Sequence, residues 1–231
     1  KIKAELFFNK FNIFERLTFF YLILGFLLII LVFVNIFNQK LQINSIIKVT
    51  FSLIVIGFIL HTLGLALRWY ISGHAPWSNG YESMIYVAWA ITLSGIFFSK
   101  QSNLALATTS ILTGITLFVA HLSWMEPQIT TLAPVLKSYW LTIHVSILTA
   151  SYGFFGLSAI LGFMTLIMFI FRKNRPHIDE TIKTVTAINE IALIVGLAAI
   201  TIGNFLGGVW ANESWGRYWG WDPKETWAYV S

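Results

Sequence analysis

The amino-acid sequence predicts an all-α, polytopic integral membrane bundle with six spans plus the start of a seventh. Three observations lead there. Of the 231 residues, 57% are hydrophobic and 11% charged, with a mean hydropathy of +0.74. A soluble domain carries about 25% charged residues, so this chain lacks the charge to cover a water-facing surface. The charges it has bracket six long uncharged runs. Each run reaches or approaches the roughly 20 helical residues that cross a bilayer core about 30 Å thick.

The runs are 17–39, 49–67, 83–99, 101–125, 138–171 and 191–212, and a seventh begins near Thr226. Residues 1–16 read as an N-terminal tail and 17–231 as one membrane domain truncated at its C-terminal end. The start "KIKAELFF", without Met, fits an internal piece of a longer protein, with a partner domain either fused upstream or separate. No internal repeat, low-complexity tract or flexible linker divides the membrane domain.

Composition also excludes chemistry. With no cysteine there is no disulfide, thiolate metal site or CxxC pair, so any thiol comes from another molecule. The formal charge of +5 is scattered between apolar blocks, whereas nucleic-acid binding needs a basic face.

Orientation follows from the densest positive cluster, "FRKNRPHIDETIK" at 171–183. If it faces the cytoplasm, Lys40, Lys48, Lys100, Arg172, Lys173, Arg175 and Lys183 lie inside, against Arg68, Lys137, Arg217, Lys224 and four cations of the N-terminal tail outside. The dense short-loop cluster rather than the count therefore sets the orientation. Segments 68–82, 123–138 and the stretch after Asn212 then face outward.

The fifth run sets the depth of the histidines. As one helix its 34 residues would be about 51 Å long, well beyond the core. With Arg172 at the inner boundary, the core reaches back to near Ser151 and His144 stands about 10 Å above it. Trp140 lies one turn further out on the same face. His121 falls at the outer edge, His74 in the outer loop, and His177 in a solvated inner loop. His61 is deep, about 20 Å from Lys48 by helical rise. Ionisable groups at that depth mark a pathway or ligand site, although a neutral imidazole bonded to a neighbouring helix is the commoner case.

Residues 215–228, "WGRYWGWDPKETWA", hold four of the ten tryptophans. Asp222 suits an N-cap, Pro223 the first helical position, and Glu225 the third position of a capping box. A helix therefore starts here, and Lys224 and Glu225 are partly structural. Before it, Trp215, Tyr218, Trp219 and Trp221 alternate with Gly216 and Gly220, which let backbone approach a ligand closely. An interfacial aromatic belt is the competing reading. Rings, outer-face histidines and the cations Arg217 and Lys224, with Arg68 and Lys137 as further candidates, favour a flat metal-bearing macrocycle with carboxylates. Haem has that chemistry, with histidine as axial ligand.

The same stretch resembles the tryptophan-rich (WWD) signature of the haem-handling family of cytochrome c maturation. Its "WDPKETWA" ending is similar to the CcsA type of System II rather than to System I carriers. "RWYISGHAPWSNGYES" (68–83) and "LKSYWLTIHVSILTASY" (136–152) also resemble CcsA segments, in matching order. The resemblance implies a bacterial inner-membrane protein with the tryptophan loop outward. It would bind b-type haem non-covalently and present it for thioether attachment to the CxxCH motif of apocytochrome c. It implies a cytochrome c haem lyase or synthase type of activity, exercised together with a CcsB-type membrane partner. His144 corresponds to the first external axial histidine, and Trp215, Trp219, Trp221 and Asp222 to the signature. The family's second external histidine and a transmembrane one would fall beyond Ser231. Two other classes remain as alternatives: a transporter or channel with His61 on its pathway, and a structural assembly subunit whose aromatic loop docks a partner protein.

Overall fold

The structure is a computed structural model that describes residues 1–37, 44–122, 124–129, 137–172 and 176–230. All regular structure among them is helical: α1 (Ile2–Phe11), α2 (Ile13–Phe37), α3 (Asn44–Ser72), α4 (Gly80–Phe98), α5 (Asn103–Ala120), α6 (Tyr139–Phe171), α7 (Pro176–Trp215) and α8 (Pro223–Val230). Six helical segments are long and apolar enough to cross a membrane, with α1 and α2 counting as one near-continuous segment broken at Asn12. The all-α polytopic bundle predicted from hydropathy is the fold observed. Helices are the solution a bilayer allows, because each backbone amide is then bonded within its own segment.

The six runs match α2 to α7, and the ends differ for physical reasons. Asn12, at φ 43° in the left-handed region, interrupts the N-terminal tail, so α2 starts at Ile13 rather than Leu17. The fourth run was expected to reach Met125, but α5 stops at Ala120. The largest extension is in the sixth run. α7 begins at Pro176, fifteen residues before the uncharged stretch, and is 40 residues long. Its charged first half still buries Ile178, Ile182, Val185 and Ile188 at helical spacing, so α6 supports it. His177, read as a solvated loop residue, is therefore in the first turn of α7, with its Nε2 buried. The charges Lys40, Lys173 and Arg175 and the run end at Gln39 lie outside the described residues.

Packing divides the bundle into two groups. α5 sits at the centre of the first, against α2 and α4, and α3 leans on α2. Three glycines let these helices touch. A Cβ at Gly95 of α4 would overlap Thr109 of α5. One at Gly25 of α2 would lie 2.8 Å from the Ile111 nitrogen, and one at Gly114 of α5 would lie 2.6 Å from Leu22. Small residues at helix contacts are how membrane bundles gain close dispersion contact. The second group is the α6–α7 hairpin, the most extensive helix pair, joined to the first mainly through α6 against α4. Its contacts run from Ser158 with Asn189, through Phe155 over Gly196 and Leu148 over Gly203, to His144 over Gly207.

Candidate functional site: an aromatic cavity at one end of the bundle

Alternating helix directions bring the N-terminal ends of α2, α4 and α6 to the same end as the C-terminal ends of α3, α5 and α7. Of the segments expected to face outward, 68–82 and the described residues 124–129 touch there, Arg68 donating to the Pro127 carbonyl. Residues 123 and 130–136 of the expected 123–138 segment lie outside the described residues. Trp77 Nε1 donates to the Thr142 carbonyl at 3.2 Å, tying the 73–79 turn to α6.

Cavities open at this end. One, of about 550 Å³, lies between α6, α7, the 215–222 loop and α8. Its walls include His144, Trp210, Trp215, Tyr218, Trp219, Asp222 and Lys224. The volume falls in the range of about 300–1,000 Å³ usual for cofactor and ligand sites. Of the residues singled out in the sequence, the fold brings His144, Trp215, Tyr218, Trp219 and Asp222 onto one wall system. The 33-residue α6 carries His144 to it, and α7 and the capped loop carry the rest.

Each wall residue has a local cause. His144 Nδ1 lies 2.6 Å from the Gly203 carbonyl, and its ring rests on the bare backbone of Gly207. Asp222 Oδ1 accepts the Glu225 amide at 2.8 Å, while Glu225 Oε2 accepts the amides of Asp222 at 3.3 Å and Gly220 at 2.6 Å. This is the expected capping box, extended by one bond. The two amides held by Glu225 flank Trp221, which sits at φ 58°, a conformation rare for a bulky side chain. Trp221 is thereby held against Trp219 and Tyr229, with ring centroids 5.8 and 6.1 Å away.

Other candidates fall elsewhere. Gly216, at φ +71°, terminates α7 by donating its amide to the Asn212 carbonyl, so helix termination explains this glycine. Gly220 lies under the Arg217 guanidinium, where a Cβ would collide. Neither glycine, nor Arg217 or Trp221, lines the cavity. Trp140 is in the first turn of α6 but packs on Tyr139. His61 is fully buried and donates from Nε2 to the Ile85 carbonyl at 3.0 Å, between the Phe14 and Tyr21 rings. Its Nδ1 is buried with no hydrogen-bond partner among the described residues.

Two features escaped the sequence. Arg68, counted as an outer-face cation, is instead buried. Its Nε donates to Glu82 Oε1 at 2.8 Å and its Nη1 to the Pro127 carbonyl at 2.9 Å. Glu82 also accepts from the Ser78 amide and hydroxyl. The 68–83 stretch is thus a structural lock, capped by Asn79, whose Oδ1 accepts the Glu82 amide. Trp210 is the second feature. It lines the cavity, packs 4.7 Å from Trp215, and its Nε1 is buried with no acceptor among the described residues. Its place after a double glycine, "GGVW", carried no period-based signal.

A second cavity of about 670 Å³ joins the other two family-like stretches, with Trp69, His74, Trp77 and Lys137 on its walls. From it a row of rings, Trp69, Trp77, Tyr86, Trp89 and Phe58, runs down α3 and α4 at centroid spacings of 4.7 to 5.7 Å. His121 lines a third, about 610 Å³, with Arg68 and Tyr81. Among the described residues, no group of three or more His, Cys, Asp or Glu could hold a metal ion.

The family described as Cytochrome C assembly protein matches residues 77–231. Across 233 residues, the whole chain, the sequence is 52% identical to Protein NrfI of Wolinella succinogenes, of which it spans 26%. It is 30% identical over 249 residues to the cytochrome c biogenesis protein CcsA of Guillardia theta, covering 97% of this chain and 81% of that protein. With CcsA of Chlamydomonas reinhardtii the identity is 35% over 181 residues, 75% of this chain and 51% of the other. The chain thus spans about a quarter of NrfI and from half to four-fifths of these CcsA proteins. The family match covers more than half of the chain, including the cavity-forming α6, α7 and α8, and the chain belongs to the cytochrome C assembly protein family, as a CcsA-type member.

Proposed function

We propose that the protein of which this chain is part binds haem in the cavity between α6, α7 and the 215–222 loop, and presents it for covalent attachment to apocytochrome c. Membership of the cytochrome c assembly family supports a role in cytochrome c maturation. The observation that carries the finer reading is the pairing of one imidazole with a wall of indole and phenol rings. His144 has its Nδ1 engaged by α7 and, among the described residues, no hydrogen bond at Nε2. Trp210, Trp215, Tyr218 and Trp219 offer ring surface to a flat ligand, and Lys224 a cation for its carboxylates. The unpartnered Trp210 N–H is a further donor in the same wall. These residues fit haem by donor chemistry, ring surface and charge.

Haem, when bound, would supply two vinyl groups across which the cysteine S–H bonds of a CxxCH motif can add. The chain's own part is positioning. His144 would hold the iron, the indoles would shield the ring faces from water, and the Glu225 clamp keeps the loop in register. Among the described residues, the two carboxylates on the cavity wall, Asp222 and Glu225, are both engaged in the cap. This reading assigns the cavity end to the outer face of the bacterial inner membrane and includes a CcsB-type membrane partner, fused or separate.

The test is co-expression of the full-length protein with an apocytochrome reporter. Covalent haem is then read after denaturing electrophoresis. His144→Ala should abolish the haem-bearing reporter while the membrane protein accumulates normally. Undiminished attachment in His144→Ala would remove His144 from the site.

A further inference from the structure

We propose that Gly203 and Gly207 of α7 are positioning residues for His144, fixing its tautomer so that Nε2 is the ligating atom. This rests on reading the cavity as an imidazole-ligated haem site. The Gly203 carbonyl can only accept, so the 2.6 Å contact requires the proton on His144 Nδ1. A neutral imidazole carries one N–H, which leaves the lone pair on Nε2.

The glycines make this contact possible. In a continuous α-helix the Gly203 carbonyl also accepts the amide of the residue four positions on, Gly207. A side chain at 207 would stand beside that carbonyl and block lateral approach. A Cβ there would lie 2.6 Å from His144 Cε1 and 2.8 Å from Nδ1, closer than a real side chain permits. At 203 a Cβ would meet Leu148 Cβ at 3.3 Å and its backbone nitrogen at 3.4 Å, so the bare Gly203 backbone lets α6 lie close enough for the Gly203 carbonyl to be reached. The imidazole is therefore seated on the α7 backbone, oriented before any ligand arrives.

Such a bond has a chemical effect as well as a steric one. An N–H donated to a carbonyl from the far side of a ligating imidazole fixes the ring and raises its basicity toward the metal. α7 then contributes to axial ligation without supplying a ligand. The residues that do so carry no side chain at all.

The first experiment uses the full-length protein purified without haem and labelled with 15N-histidine. His144 is assigned by its loss in His144→Ala. The expected spectrum has His144 protonated at Nδ1 and bare at Nε2, while a proton on Nε2, or rapid exchange between the two, overturns the proposal. The second measures hemin binding. Gly207→Ala should bind at least about tenfold more weakly, with shifted visible bands. Gly162→Ala, whose Cβ would meet Asn189 no closer than 3.7 Å, should bind as the unmodified protein does. Unchanged affinity and spectrum in Gly207→Ala overturn the proposal. If Gly207→Ala does not fold, the tautomer of the unmodified protein decides. If the unmodified protein takes up no hemin, the haem reading fails, and the tautomer result still separates a seated from an unseated imidazole.

Discussion

Arg68 and Glu82 are each 1% exposed and 2.8 Å apart, a place where neither charge could stay alone. Removing one partner of a buried pair costs about 3–5 kcal/mol, because the other is left desolvated and unpaired. Glu82→Gln should therefore lower the thermal midpoint of the detergent-solubilised protein markedly. The double change Arg68→Leu with Glu82→Leu should be less destabilised than either single change, and additivity in that cycle would refute the coupling. The sequence concealed the pair, since a loop separates the two residues and Arg68 follows an apolar run where an interfacial cation is ordinary. Glu225 was legible as the third residue of a capping box, yet its bond to Gly220 and its hold on the left-handed Trp221 were not. Glu225→Ala should cost about 0.5–1.5 kcal/mol, the net worth of its bonds to part-buried amides. Tryptophan fluorescence should report a loosened 215–222 loop, and an unaltered spectrum would contradict the clamp.

Helix length was readable where charge marked the ends and unreadable where it did not. α6 follows its uncharged run within a residue, as Tyr139–Phe171. α7 exceeds its run because amphipathic helix continues into charged sequence as long as one face finds a partner, and α6 supplies it. Close approach between helices was likewise hidden, because it depends on which glycine faces which neighbour. Gly95→Val tests this, since even a Cβ there would overlap Thr109. Overpacking costs about 1–3 kcal/mol, so the variant should unfold at lower denaturant than the parent. Equal stability would mean that α4 and α5 do not pack in this register.

The assembled bundle gathers at one end what the sequence distributes between residues 68 and 222, namely the 68–83 lock, the start of α6, and the tryptophan loop after α7. Hydropathy sufficed for the six spans, and the quoted motifs sufficed for the family. The cavity itself needed the α6–α7 pairing, which brings His144 beside Gly207 and adds Trp210 to the wall. The absence of native cysteine in the chain makes its orientation accessible to labelling. A cysteine replacing Lys137 should react with an impermeant maleimide from the outer side of the membrane, and one replacing Lys183 only after permeabilisation. Reaction of both from the same side would contradict the topology. The most direct measurement of the central claim is the absorption spectrum of the purified full-length protein, oxidised and then reduced with dithionite, beside that of His144→Ala. The account predicts a sharp Soret band with split visible bands on reduction, diminished or shifted in the variant. A featureless spectrum after expression with ample haem, or one indifferent to His144, would contradict it.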